Sequence, residues 1–242
     1  MKRKKISLSI LVLAFVITQV KGQDLFDLNS KTPILKHQVL LTNLASFKEH
    51  NKGMSGASAF LINYRNKIFA VTAKHVLGEH MGVVPEIKLK DFNDYLVTRK
   101  MFPRVPINPQ VDTVEIGKLK LNYDSLSKDI LLLEVANAGF NTFPLNPIFT
   151  FPTKGEKLYI IGCPYSQPKC KQNTYEVFYD SYDDETSMLI FQIKSKFEVA
   201  GFSGAPIVNS NGNVVSVLNV GMSDGTNQYI AGTFIKEIEK VK

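Results

Sequence analysis

A serine flanked by glycines near the C-terminal end of the chain has the surroundings of a nucleophile. It lies in Gly-Phe-Ser-Gly-Ala-Pro, residues 201–206, with the hydroxyl at Ser203. Glycines let the backbone turn sharply, which presents the hydroxyl and brings nearby amides to one point, as acyl transfer requires. We expect the amides of Gly201 and Ser203 to bind the oxyanion. Gly-x-Ser-Gly also occurs as an ordinary turn, so the motif needs support elsewhere.

A serine nucleophile needs a base, and a third group that orients the base. The sequence contains four histidines, His37, His50, His75 and His80. His75 ends an apolar strand, and Asp129 begins the strongly apolar segment 129–135. Each has a simpler interpretation by itself, since a lone histidine is usually a satisfied or exposed ring and an aspartate often ends a strand.

Chain order decides between the known arrangements of such triads. No histidine follows Ser203, which excludes any order in which this serine precedes the histidine. An acid-first order has only Asp24, Asp27 and Glu49 available before His75. The remaining order is His75, Asp129, Ser203, with His75 as the base and Asp129 as the orienting acid.

The elements that must position these residues are mainly strands. Residues 58–72 read as a hairpin with its turn at 65–67. The other predicted strands are 85–90, 95–100, 113–121, 129–135, 156–162, 173–180, 187–195, 205–209, 213–219 and 228–234. The proline-containing stretch 137–153 reads as a linker, and only the tail 235–240 reads as helical. Two all-β halves of similar size predict a pair of barrels.

Composition and charge exclude several classes of protein. The 242 residues are 44% hydrophobic and 21% charged, which does not fit a disordered or multi-span membrane protein. The net charge is +7, but residues 1–22 carry five basic residues and no acidic one, which leaves +2 for the rest. We therefore expect no nucleic-acid partner.

The N-terminus has the pattern of a secretory signal peptide. Four basic residues precede the apolar run 6–20, and cleavage is expected near Gly22-Gln23. A membrane anchor is the alternative, but the run is shorter than a spanning helix needs. The sequence predicts a secreted or periplasmic protein without membrane contact once the signal is removed. In an oxidising compartment Cys163 and Cys170 can close a small loop, and two reduced thiols are the alternative.

Taken together, the motifs resemble those of trypsin-like serine peptidases of the chymotrypsin fold, nearest the bacterial high-temperature-requirement (HtrA) branch. The matching segments run from about Val39 onwards and are 55–60, 72–75, 129–133 and 201–206. The resemblance implies an all-β protein: two six-stranded antiparallel barrels with the site in the cleft between them. One barrel is expected within 23–140, and the other, with a short terminal helix, within 141–242.

Departures from the family pattern also predict properties. Phe202 stands where digestive relatives carry an aspartate that pairs with a new N-terminus, and no activation sequence follows the signal. Activation by N-terminal insertion is therefore not expected, and neither is a PDZ domain. The resemblance places Phe197 at the base of the primary specificity pocket. This favours an uncharged side chain before the scissile bond, unless a loop shift brings in Glu198. The segment Asn219-Val220-Gly221 is expected to pair with the extended substrate.

The sequence thus predicts a secreted serine endopeptidase that acts on polypeptides through an acyl-enzyme. The histidines show no zinc spacing, so we expect no metal and no cofactor, and we expect a monomer. An inactive pseudoprotease that serves as a binding module is the alternative from another class. An esterase on the same scaffold is a third possibility.

Overall fold

The computed structural model describes residues 25–27, 33–49, 54–117, 119, 128–139, 141–223 and 225–240. The predicted signal peptide, its cleavage site and His50 lie outside these ranges. Within them, no helix is both long and apolar enough to cross a membrane.

The N-terminal half contains a small two-stranded sheet and one closed barrel. The sheet pairs β1 (Phe26–Asp27) with β2 (Ile34–Leu35). The barrel strands are β3 (Leu41–Phe47), β4 (Met54–Tyr64), β5 (Lys67–Thr72), β6 (Leu96–Phe102), β7 (Val114–Ile116) and β8 (Leu131–Asn137). They close in the order β3-β4-β5-β8-β7-β6, and all of their pairings are antiparallel.

The C-terminal half forms a second closed barrel of the same size. Its strands are β9 (Lys157–Gly162), β10 (Asn173–Asp183), β11 (Met188–Ile193), β12 (Pro206–Val208), β13 (Val214–Ser223) and β14 (Gln228–Phe234). They close in the order β10-β11-β14-β13-β12-β9. The predicted fold, two six-stranded antiparallel barrels, is confirmed. The predicted terminal helix is a 3-10 helix, Ile235–Lys240.

Alternating side chains explain how each barrel forms a core. Along β3, Leu41, Ala45 and Phe47 are buried, whereas Leu44 faces outward. This period of two is what a strand with one buried face requires. The β4–β5 hairpin closes at Arg65 and Asn66, whose φ angles of 50° and 60° are those of a type I′ turn.

One predicted strand is wrong. Residues 85–90 do not pair with any described strand, and Leu89–Asp91 instead form a 3-10 helix that leads into α1 (Phe92–Tyr95). Pro85 lacks the N–H that a sheet ladder uses, and the Ile87 amide donates to the Leu77 carbonyl instead. Short 3-10 helices also occupy Lys74–Leu77 and Glu79–Met81.

The connection between the barrels is bonded to both of them. Gln38 bridges to Thr142 and Ile62 to Leu145 on the first barrel's side, whereas Pro147 bridges to Val214 of the second barrel. The predicted linker is thus held along its length. The exact boundary at 140–141 stays a prediction.

Phe202, the residue before the predicted nucleophile, is an anchor inside the second barrel. It is fully buried, and its ring packs edge-on against Tyr175 and obliquely against Phe197, with centroids 5.2 Å and 5.7 Å away. A Cβ atom at Gly162 would overlap the Phe202 ring, so this glycine provides the space that the ring fills. The serine motif is therefore attached to the core by an aromatic side chain.

We expect Phe202→Ala to lower the free energy of unfolding by about 3–5 kcal/mol, because it leaves a cavity in a packed aromatic cluster. Urea denaturation followed by circular dichroism measures the loss. Phe151→Ala is the matched control, since that ring is 50% exposed and should cost clearly less. Equal losses in the two variants would contradict the anchoring role.

Candidate active site

The pairing of β5 with β8 brings His75 and Asp129 together. Thr72, the last residue of β5, pairs with Leu131, the first residue of β8. Because the strands are antiparallel, the chain beyond Thr72 and the chain before Leu131 continue side by side. His75 lies in the 3-10 helix that follows β5, and Asp129 lies two residues before β8.

Asp129 holds His75 at two points. Its Oδ2 lies 2.6 Å from His75 Nδ1, and its Oδ1 accepts a hydrogen bond of 2.8 Å from the His75 backbone amide. Because Nδ1 faces a carboxylate acceptor, this nitrogen is the one that carries the proton in the neutral ring, which leaves Nε2 free to accept one. The two side chains are partly exposed, at 32% and 21%. The predicted base and its orienting acid are therefore in contact.

The environment of Asp129 favours its ionised form. Burial by itself raises the pKa of this carboxyl and is the largest single influence. Hydrogen bonding and charge from His75, with the backbone amides of His75 and Lys74, together outweigh it and hold the pKa of Asp129 below its ordinary value of 3.8.

Asn219 holds the backbone of Asp129 from the second barrel. The β13–β14 register shifts between Leu218 and Val220, so Asn219 lies at a bulge and its side chain is buried. Its Nδ2 donates to the Asp129 carbonyl at 2.6 Å, and its Oδ1 accepts from the amide and the hydroxyl of Thr233. The predicted pairing of the 219–221 backbone with substrate stays a prediction, and the Asn219 side chain adds a bond between the barrels that the sequence did not indicate.

The backbone before Ser203 forms a tight turn. The Phe202 amide donates to the Val199 carbonyl at 3.1 Å, and Gly201 has a φ of 98°. A positive φ at the third position is the signature of a type II turn and favours glycine there. The amides of Gly201 and Ser203 donate to no other residue in the described ranges. Within the described ranges, the serine's own amide and that of Gly201 are therefore free to donate.

Ser58 of the first barrel holds this turn. Its amide donates to the Ser203 carbonyl at 2.7 Å, and its hydroxyl donates to the Gly201 carbonyl at 2.9 Å. A Cβ atom at Gly204 would overlap the Ser58 carbonyl and lie 3.1 Å from the Ala73 amide. The serine turn is thus packed against the end of β5, two residues before His75.

Tyr165 is a site residue that sequence reasoning missed. Its phenol oxygen accepts a hydrogen bond of 2.7 Å from the Ala57 amide, and its own amide donates to the Ala200 carbonyl at 3.0 Å. A Cβ atom at Gly201 would lie 2.9 Å from the Tyr165 ring. The tyrosine belongs to the loop closed by the disulfide Cys163–Cys170, and that cysteine pair was its only sequence signal.

Comparison with known proteins identifies the family. Residues 57–217 match the trypsin-like peptidase domain. The chain belongs to this family.

Solved structures share the fold of this trypsin-like peptidase domain. The active form of the Rv3671c protease from M. tuberculosis aligns with a TM-score of 0.54 at 14% identity, covering 84% of this chain and 79% of that one. Two inactive forms of Rv3671c, one a serine-to-alanine mutant, align with TM-scores of 0.53 and 0.51, also at 14% identity. They cover 84% and 83% of this chain, and 86% and 83% of theirs. No curated protein sequence matches the chain.

The residues predicted to set the specificity of the peptidase are only partly brought together. Phe197 and Gly221 line one cavity of about 310 Å³, and the other lining residues are Ile193, Val199, Met222, Ser223, Gln228 and Tyr229. Val220 does not line it and is 43% exposed on β13. Glu198 does not line it either, and its carboxylate accepts a hydrogen bond from the Ser166 hydroxyl. No acidic side chain lines this cavity.

Clusters of ligands for a metal ion are absent from the part of the chain that the structure describes: no three histidine, cysteine, aspartate or glutamate side chains come close enough together. Of the other histidines, His37 stacks on Phe143, with ring centroids 4.6 Å apart, and His80 lies in the 3-10 helix Glu79–Met81.

We expect Asn219→Ala to destabilise the peptidase by about 1–3 kcal/mol, because the buried amide of Thr233 loses its acceptor and the Asp129 carbonyl loses its shorter bond. Urea denaturation measures the change. Asn211→Ala, in an exposed turn, is the control and should change stability by less than about 0.5 kcal/mol. A loss at Asn219 no larger than that of the control would contradict the inter-barrel role.

The lowered pKa of Asp129 predicts how stability depends on pH. An acid whose pKa is lower in the folded state stabilises it above the unfolded-state pKa, and the contribution disappears as pH falls through the folded-state value. We expect the free energy of unfolding to fall more steeply between about pH 5 and pH 2 in the wild type than in Asp129→Asn. Urea unfolding across this pH series measures both slopes, and equal slopes would contradict the prediction.

Proposed function

We propose that this trypsin-like peptidase is an exported serine endopeptidase that uses Ser203, His75 and Asp129. One observation carries the proposal: Asp129 holds His75 at two points, beside a serine turn packed on the strand that leads to that histidine. Contact between base and orienting acid is the arrangement that activates a serine hydroxyl for acyl transfer.

In the first half of the reaction, Ser203 Oγ attacks the carbonyl carbon of the scissile peptide bond. His75 Nε2 takes the hydroxyl proton, and the Asp129 carboxylate stabilises the imidazolium that forms. The tetrahedral intermediate then collapses, and His75 gives the proton to the leaving amine. The products are an acyl-enzyme and the C-terminal part of the substrate.

The negative charge on the carbonyl oxygen needs donors that are already in place. The free amides of Gly201 and Ser203 are the candidates, because the type II turn is held from both sides before substrate arrives. Donors that need no reorganisation stabilise the transition state more than the ground state. In the second half, His75 deprotonates a water molecule, which hydrolyses the acyl-enzyme and restores Ser203.

The strand beside the site supports a polypeptide substrate. β12 pairs with β13 only up to Val217, so residues 220–223 present a free, exposed edge next to the serine turn. An extended polypeptide can pair with such an edge through backbone hydrogen bonds. The cavity lined by Phe197, Val199 and Gly221 then receives the side chain before the scissile bond. Because no acidic side chain lines this cavity, an uncharged side chain is favoured before the scissile bond.

Export is supported by the signal-peptide pattern of residues 1–22 and by the disulfide, which persists in oxidising compartments. Sequencing the N-terminus of the protein recovered from the medium or periplasm tests it. A first residue at or near Gln23 is the expected result.

We expect Ser203→Ala to lower peptide hydrolysis by more than about 10⁴-fold and to abolish labelling by a fluorophosphonate probe, because the proposed reaction loses its nucleophile. Ser210→Ala, an exposed serine outside the site, is the control and should keep both properties. Circular dichroism shows whether each variant is folded.

The outcomes separate the rival functions. Normal hydrolysis by folded Ser203→Ala would overturn the assignment. A folded wild-type protein that neither reacts with the probe nor cleaves peptides would instead be a binding module. Cleavage of esters without cleavage of peptides would identify an esterase.

A further inference from the structure

A second cavity also reaches the serine turn. Its volume is about 270 Å³, and Gly201 is one of its walls, whereas Val199 lines the cavity that receives the side chain before the scissile bond. The two cavities therefore meet the same turn at different residues. If the first cavity receives the side chain before the scissile bond, the second is available to the leaving-group segment.

This leaving-group cavity is cationic. Arg104 and Lys171 line it, and no aspartate or glutamate does. Neither cation forms an ion pair with a carboxylate in the described ranges. Glu198 contacts Ser166 of the same loop but stays outside the cavity.

The arginine is held in place rather than mobile. Its Nη2 donates to the carbonyls of Pro164 and Gln167, both at 3.0 Å, so the guanidinium is bound to the disulfide loop. Two neutral carbonyls orient the group without neutralising its charge. Lys171 follows Cys170 directly, so the disulfide also limits where this lysine can lie.

We propose that Arg104 and Lys171 bind a carboxylate on the leaving-group side of the scissile bond. A fixed guanidinium and an ammonium without a carboxylate partner are complementary to this group. The carboxylate comes either from an Asp or Glu side chain just after the scissile bond or from the C-terminus of a short leaving segment. This proposal rests on the proposed peptidase function and adds a substrate class to it.

The experiment uses internally quenched peptides that share one segment before the scissile bond and differ after it. One series carries Ala, Asp or Lys after the bond with an amidated C-terminus, and a second carries Ala with a free C-terminus. We expect kcat/KM to be about fivefold higher for the carboxylate-bearing peptides than for the amidated Ala peptide, with the Lys peptide slowest. Added salt should reduce the difference. If the amidated Asp peptide is the faster, the carboxylate is a side chain. If the Ala peptide with a free C-terminus is the faster, it is the C-terminus of the leaving segment.

Variants tie the preference to this cavity. In Lys171→Glu, the ratio of kcat/KM for the carboxylate-bearing peptide to that for the neutral peptide should fall to one or below. Arg104→Gln should lower the same ratio. Lys169→Glu is the matched control, because Lys169 is an exposed lysine of the same loop that does not line the cavity and should keep the wild-type ratio. A ratio in Lys171→Glu equal to that of the wild type would overturn the proposal.

An ester substrate without a leaving peptide keeps the two proposals apart. Its hydrolysis by the wild type and not by Ser203→Ala supports the catalytic centre independently of this cavity. Equal kcat/KM values for carboxylate-bearing and neutral peptides, with Ser203-dependent turnover of both, would overturn the carboxylate site alone. Absence of any Ser203-dependent turnover would overturn the peptidase function itself.

Discussion

The close approach of the serine turn to the end of β5 is the constraint on which the rest of the site depends. Gly204 has no side chain, and its Cα lies against the Ser58 carbonyl and the Ala73 amide, where a Cβ atom would not fit. Ser58 then uses its amide and its hydroxyl to hold the carbonyls on both sides of Phe202. One residue of the first barrel thereby sets the position of a turn that belongs to the second. This contact brings the serine turn to within two residues of His75 along the chain.

The charged part of the site is arranged around one carboxylate. Asp129 is partly buried, which by itself disfavours its charge, but hydrogen bonding and charge from His75, together with the Lys74 amide, more than offset that cost. Its carbonyl is bound in turn by Asn219 from the opposite barrel. The orientation of His75 therefore depends on both barrels, although His75 and Asp129 belong to the same one. A relative movement of the barrels would therefore disturb His75 as well as the serine turn.

Aromatic packing holds the residue that precedes Ser203. The resemblance places an aspartate before the nucleophile in those enzymes, whereas this chain has Phe202, fully buried against Tyr175 and Phe197. Tyr165 supports the other side of the same turn through the Ala57 amide. Neither contact requires a newly formed N-terminus. The turn is therefore shaped by packing and neutral hydrogen bonds that exist as soon as the chain is folded.

The sequence by itself determined the strands, the turns and the candidate site residues. Strand periodicity and turn residues predict the two barrels and the Arg65-Asn66 hairpin, and the motifs select His75, Asp129 and Ser203 as candidates, because both kinds of signal lie within a few neighbouring residues. The strand predicted at 85–90 does not form, because Pro85 has no amide to donate to a sheet and the Ile87 amide donates to the Leu77 carbonyl instead. Only the tertiary structure placed Tyr165 against the Ala57 amide, Asn219 against the Asp129 carbonyl and Arg104 against the disulfide loop. Their partners lie far away in the chain, on the other barrel or across a loop, and no local pattern records which surfaces the closure of two barrels will bring into contact.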